Sequence, residues 1–446
     1  MVVSNDFIFP ILSLLGLTFV IFLGTGLKKS QWKNNFIFIW TLIVYLQYLL
    51  FSPLYFFLSD KKVLNGTYYY DYYATGFFFS WLAIFFLGIG FFLKKFPRKR
   101  AAPKIEKVLI NPTKSISILF YVTYGIVLMN MALGGINVQN VFLGSDIVGM
   151  GAEGASYYLQ NFTDSLITIL LLAFLYDFPR KQIIIWLAMS FFLFSILGFR
   201  YRIILTLFGI LFILILRRKI TTRMVIGGLL LAVFFLYLIM FSTENRRVLI
   251  SRNYDKLKFD PTEYKAETIF DQSRGALADM CVYKLYDDPY KSVKYDYGVS
   301  LFGYIFIRMI PRAILTNKDD FYPPPQLAIT LSAYEAWWGK YTGEATLSVG
   351  AMFIALGWLG IVIGHFFWGV LLRRYSLKVD FNNNLSLISF LILSLVTFQW
   401  ITRGYLPQEV DHAVYMFIPI WVLKRFFTKK VEVTAPEKAN RNEAFT

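Results

Sequence analysis

Ser242-Thr-Glu-Asn-Arg-Arg-Val-Leu opens, and Tyr341-Thr-Gly-Glu-Ala-Thr346 closes, a long polar stretch set inside an otherwise apolar chain. Around it lie roughly eleven hydrophobic blocks, each long enough to enter a bilayer. Helices are expected near 7–26, 35–57, 74–93, 115–133, 163–178, 182–198, 203–216, 225–241, 348–371, 385–401 and 412–427. The pattern predicts an all-α polytopic membrane protein. Helices one to eight fall in 1–241, a large extracytoplasmic loop in 242–346, helices nine to eleven in 347–428, and a polar, disordered tail in 429–446. One large, lopsided loop is unusual in a transporter. It is common in an enzyme that acts on a lipid-carried substrate at the membrane surface.

Composition agrees. Of 446 residues, 57% are hydrophobic, 19% aromatic and only 16% charged, and the mean hydropathy is +0.53. Soluble domains average about 25% charged. The net charge of +17 fits membrane topology better than nucleic acid. With the N-terminus placed outside, twenty-six of the 45 Lys and Arg fall on inner segments and five on the short outer ones. The positive-inside rule therefore predicts N-out, C-in, with the large loop outside. The run Lys94-Lys-Phe-Pro-Arg-Lys-Arg100 reads as a topology anchor on anionic lipid. The opening MVVSNDFIFP lacks a basic n-region and reads as the start of a retained helix.

Metal chemistry finds little support. The single cysteine, Cys281, builds no disulfide within the chain, and His365 and His412 do not make a zinc cluster. Gly149-Met-Gly-Ala-Glu-Gly154 spells a dinucleotide fingerprint but follows no predicted strand. Asn65-Gly-Thr67 and Asn161-Phe-Thr163 match the glycosylation sequon, which means little without a compartment. Tyr322-Pro-Pro-Pro325 reads as a rigid turn. There is no P-loop, and no DxD-like pair in the first outer loop.

Arginines at the predicted outer ends stand out. Arg200 lies in Gly198-Phe-Arg-Tyr-Arg202, Arg274 in Asp271-Gln-Ser-Arg-Gly275, Arg312 after Ile310-Pro311, and Arg403 in Thr402-Arg-Gly404. A guanidinium at membrane depth needs a partner, and its planar fork suits a diphosphate. The plain alternative is a headgroup contact or a carboxylate pair, which Arg202 and Arg308 fit better. Candidate general bases are Glu344, Glu409, Asp411, Glu335 and His412. Each carboxylate alone also reads as a solvated or salt-bridged surface group. His365 falls deep in a helix and reads as a packed residue. Trp337-Trp338 reads as an interfacial anchor or as a sugar-stacking surface.

In layout and in loose motifs the chain resembles bacterial oligosaccharide repeat-unit polymerases, the Wzy or O-antigen polymerase family. The pieces are Gly198-Phe-Arg200, Ile310-Pro-Arg312, Gly343-Glu-Ala-Thr346 followed by Ala355-Leu-Gly-Trp-Leu-Gly360, and Thr402-Arg-Gly404. The resemblance implies a GT-C-like fold in the bacterial cytoplasmic membrane. It implies a donor glycan and an acceptor repeat unit, both on polyprenyl diphosphate, and a chain-length regulator as a further partner. Arg200, Arg274, Arg312 and Arg403 would hold the diphosphates, and Glu344, Glu409 or His412 would activate the acceptor hydroxyl. No cofactor is required if arginine neutralises the leaving group. Three other readings stay open. A ligase-type transferase is expected to use a loop histidine, and 242–346 has none. A flippase would show charged mid-helix residues, broken helices and pseudo-repeats. A scaffolding protein of an export complex would not need the arginines.

Overall fold

The computed structural model describes residues 3–28, 32–93, 105–133, 161–196, 200–217, 254–260, 273–310, 314–321, 324–335 and 345–432, with isolated positions between them. The chain is mostly helical. In order, the elements are α1 (Ile8–Gly26), α2 (Phe36–Tyr45), α3 (Ser52–Leu58), β1 (Val63–Leu64), β2 (Thr67–Tyr68), α4 (Tyr73–Phe92), β3 (Ile105–Leu109), α5 (Pro112–Leu133), α6 (Phe162–Leu175), α7 (Arg180–Ile196), α8 (Arg200–Arg217), α9 (Gly275–Asp287), α10 (Tyr304–Met309), α11 (Pro325–Ser332), α12 (Ser348–Lys378), α13 (Asn384–Arg403), α14 (Leu406–Phe426) and β4 (Thr428–Glu432). Wherever the apolar blocks lie among the described residues, they are helical. The block 225–241 lies largely outside them. Among the described residues six spans are long and apolar enough to cross a membrane: Asn5–Gly26, Phe36–Leu58, Tyr70–Phe92, Pro112–Ala132, Ser348–Lys378 and Asn384–Arg403.

Polar residues at the helix ends sort into two sets, as an up-and-down bundle requires. At one end Arg217 donates to Asn384 (2.6 Å), Asn384 donates to the Leu175 carbonyl (3.1 Å), and Arg373 donates to Asn35 (3.1 Å). The short antiparallel ladder of β3 with β4 lies near the C-terminal part of α14 in sequence, and its registry pairs Ile105 with Glu432 and Leu109 with Thr428. Residues 429–432 are thus a paired strand, where composition alone predicts the start of a disordered tail. Residues 433–446 lie outside the described residues.

The closest helix pair is α4 with α12. An added Cβ at Gly90 would sit 2.1 Å from the Phe366 carbonyl oxygen, and one at Gly369 would sit 2.2 Å from that of Leu87. Phe79 meets Phe353 one end further along, so the two helices run in the same direction. Without a hydrophobic drive between apolar helices in lipid, small residues let the backbones approach and gain dispersion contacts.

The polar stretch 242–346 is not simply a cover laid on the bundle. Its helix α9 is buried on all faces over 276–283: Leu277, Ala278, Met280, Cys281 and Val282 belong to the same core as Phe77, Ile84 and Ile354. Asp279 in α9 accepts from the backbone N–H groups of Leu347 (2.9 Å) and Gly350 (3.2 Å). It thereby satisfies two of the donors that the start of α12 leaves without intrahelical partners.

α12 itself is broken. Leu356 and Gly357 leave helical geometry, and Gly357 has φ +64°, which a side chain would resist. The freed carbonyls of Ile354 and Ala355 accept from the N–H groups of Asp296 (3.1 Å) and Tyr297 (3.0 Å). The loop thus straps the break. Asn65-Gly66 forms the positive-φ hairpin turn between β1 and β2, which accounts for that sequon as local geometry.

Candidate functional site

Two polar clusters meet at the other end of the bundle, next to the loop. The first forms around Leu347. Gly275 and Gly404 both press on this segment. An added Cβ at Gly275 would lie 2.5 Å from the Leu347 side chain, and one at Gly404 would lie 2.5 Å from the Leu347 carbonyl and 2.6 Å from that of Thr346. Gly404 has φ +58° and ends α13 in a left-handed turn. Gln326, at the start of α11, donates to Thr346 Oγ1 (3.1 Å) and to the Gly404 carbonyl (2.9 Å). Three stretches singled out by sequence, Arg274-Gly275, Ala345-Thr346 and Arg403-Gly404, therefore converge. Arg274 occupies the position before α9, and Arg403 is the last residue of α13 and is exposed. Tyr48, beyond the α2 terminus, lies within electrostatic reach of Arg403.

The second cluster is buried between α6, α8 and α14. Asp164, in the first turn of α6, accepts from Arg202 Nε at 2.6 Å and from its Nη2 at 3.3 Å. His412 Nδ1 lies 2.7 Å from the other Asp164 oxygen, Oδ2. Gln408, one turn earlier on α14, places its amide nitrogen 3.2 Å from His412 Nε2. The Tyr201 hydroxyl stands 3.4 Å from Nδ1, with its ring over Arg202. Glu409 is 1% exposed, and neither carboxylate oxygen has a hydrogen-bond partner among the described residues. The charges of His412, Arg403, Asp164 and Arg308 all act on it. Asp411 is bonded by Arg308 Nε, which ties α10 of the loop to α14.

The sequence-derived residues divide as follows. His412 and Glu409 fall in the buried cluster, and Arg403 links the two clusters. Arg274 belongs to the Leu347 cluster. Arg200 opens α8, but its side chain lies outside the described residues, as do Glu344 and Arg312. Trp337, Trp338 and Gly149–Gly154 also lie outside them. Arg202 and Arg308 do pair with carboxylates, in line with the plainer reading of each. Glu335 holds Lys284 at 3.1 Å in a partly exposed ion pair, which favours its reading as a surface carboxylate. His365 is buried and its Nδ1 meets the Ile361 carbonyl at 2.8 Å, as a packed residue would.

Sequence reasoning missed Asp164, Asp279 and Gln326. Asp164 carried a signal: it is the one charge in Phe162-Thr-Asp-Ser-Leu-Ile-Thr-Ile-Leu-Leu-Leu, and an ionisable residue there is costly unless paired. Asp279 and Gln326 carried none, because their role depends on where other helices begin and end.

Among the described residues no group of three or more His, Cys, Asp or Glu is placed to hold a metal ion. What the arrangement offers is a carboxylate-held imidazole, a buried carboxylate with no hydrogen-bond partner, and guanidinium groups, all within one end of the bundle. Compared with known proteins, the chain matches no family profile, no curated sequence and no solved structure.

Proposed function

We propose that this chain is a membrane glycosyltransferase. It joins oligosaccharide repeat units carried on polyprenyl diphosphate, at the outer face of the bacterial cytoplasmic membrane. In this reading the bundle is GT-C-like with eleven helices, N-terminus outside and C-terminus inside. The observation that carries it is the convergence of Arg274-Gly275, Ala345-Thr346 and Arg403-Gly404 beside the buried Asp164–His412–Glu409 group.

The chemistry follows from those groups. The acceptor hydroxyl attacks the anomeric carbon of the donor, and the bond from that carbon to the diphosphate oxygen breaks with its electron pair leaving on the diphosphate. Arg403 and Arg274 stabilise the charge that develops there. His412 or Glu409 takes the hydroxyl proton. The loop, strapped to α12 at Ile354–Ala355 and to α14 at Asp411, excludes water so that transfer outruns hydrolysis. A charge-assisted contact is worth roughly 1.5–3 kcal/mol, so Arg403→Ala should slow polymerisation by roughly 10- to 100-fold.

The test is the length distribution of surface glycan in a deletion strain complemented with wild type or Arg403→Ala. Single repeat units without a long ladder support the polymerase. Normal ladders in the Arg403→Ala strain, with the protein in the membrane, remove Arg403 from that role.

A second reading has one specific observation behind it. The break in α12 at Leu356–Gly357, together with a buried Asp164–Arg202 pair, is the kind of feature a lipid-linked oligosaccharide flippase would use. The deletion strain separates the two. A flippase would strand lipid-linked single units on the inner leaflet, and a polymerase on the outer.

A further inference from the structure

The proposed function leaves open which group takes the proton and what holds it ready. We infer that Asp164 is the positioning residue of His412. Arg202 fixes Asp164, and His412 Nε2 is thereby left as the working nitrogen. The inference rests on the glycosyltransferase reading for its catalytic meaning and on the geometry alone for the tautomer.

The hydrogen bonds assign the proton. Asp164 is ion-paired to Arg202, so its Oδ2 can only accept, and Nδ1 of His412 at 2.7 Å must carry the hydrogen. The Gln408 amide nitrogen can only donate, so Nε2 at 3.2 Å must accept. Both contacts demand the same neutral tautomer. Its lone pair on Nε2 faces the Gln408 amide at 3.2 Å and the Tyr201 hydroxyl at 3.5 Å, two neutral donors that an incoming hydroxyl can displace.

The support for this tautomer is unusually well fixed. Asp164 is 1% exposed and Arg202 0%, and Arg202 spans both carboxylate oxygens from a different helix. A carboxylate held at both oxygens cannot swing away from the ring. Held this way, the imidazole keeps its orientation and the imidazolium formed on proton transfer is stabilised. Other charged or titratable groups around His412 are Tyr201 on α8 and Glu409 on its own helix, with Asp411 next in sequence and paired to Arg308. At transfer the acceptor O–H proton moves to Nε2 as its oxygen bonds the anomeric carbon. The diphosphate departs with the other bond's electron pair, and the proton then passes to solvent or to that diphosphate.

The experiment uses the full-length protein in lipid nanodiscs with isotope-labelled histidine. The chain has only two histidines, so a His412→Gln variant assigns both signals. The expected wild-type result is an Nδ1-protonated His412. Asp164→Asn should lose that preference and reduce repeat-unit polymerisation by ~100-fold or more. The same replacement in a His412→Ala background should cost nothing further, because a positioning residue acts only through the ring. The pair Asp164→Asn with Arg202→Met avoids a stranded cation if the single variant fails to accumulate.

An Nε2-protonated His412, or one whose tautomer ignores Asp164→Asn, overturns the inference. So does a full further loss of polymer in the His412→Ala background. If the deletion strain keeps its glycan ladder, the functional reading falls, and the NMR result still decides the tautomer.

Discussion

Two helix interfaces in this bundle are built on opposite principles. Between α4 and α12 the backbones touch at Gly90 and Gly369, and the Arg373 guanidinium lies over the Phe91 ring at the far end without a buried ion pair among the described residues. Between α6, α8 and α14 the contact runs through Asp164, Arg202 and His412. The first interface gains from close packing, and packing has no requirement for any particular ionisable group. The second has taken two charges out of lipid and water, at a desolvation cost that their attraction only partly offsets. An apolar seam there would hold the helices as well. In the proposed reading, the polar one is kept for the proton transfer at His412.

The contrast can be broken most directly at Asp164. Removing it alone, as Asp164→Leu, should destabilise the protein by about 3–5 kcal/mol, because Arg202 is left buried without its carboxylate. Adding Arg202→Met should recover much of that loss while leaving activity absent. Thermal unfolding in detergent measures the first claim, and glycan laddering the second. A double variant that stays as unstable as the single would show that the pair supports the fold rather than the site.

At the glycine seam the expected effect is next in size. Gly90→Val forces a side chain onto the Phe366 carbonyl and should cost about 1–3 kcal/mol, more if the helices separate. Any variant protein that reaches the membrane intact should still polymerise. Loss of polymer at full abundance and normal melting would erase the distinction between the two interfaces.

An effect of similar size is expected within the Leu347 cluster. Gln326→Ala removes donors to Thr346 and Gly404 and should cost about 1–3 kcal/mol, chiefly through the unsatisfied acceptors. Faster proteolysis of 324–347 in membranes is the readout. Smallest of all is Lys284→Ala. Its pair with Glu335 is partly exposed, with side chains 31% and 55% accessible, and should contribute about 0–1 kcal/mol.

The resemblance motifs take on physical meaning here. Ala355-Leu-Gly-Trp-Leu-Gly360 is the break in α12, where Gly357 adopts a conformation that favours glycine. Thr402-Arg-Gly404 is a helix end whose glycine must fit against two carbonyls. Both were visible as strings, but their reasons were not. Asp164 could have been flagged from its apolar surroundings alone. The partnership with Arg202 and His412 joins residues 38 and 248 positions away in sequence, and no periodicity encodes that.

Sequence by itself determined that this is a helical, membrane-type chain and where the long apolar helices among the described residues run. Long apolar blocks have one stable solution in a bilayer, since only a helix satisfies its own backbone there. It also determined which arginines and carboxylates stand near helix ends. The tertiary structure decided which of them meet. It buried α9 of the polar stretch in the core, broke α12 and strapped the break with 296–297, and paired a strand at 428–432 that composition leaves unstructured. Those outcomes depend on contacts between distant segments, whose energies are set by shape and charge in three dimensions rather than by any local pattern.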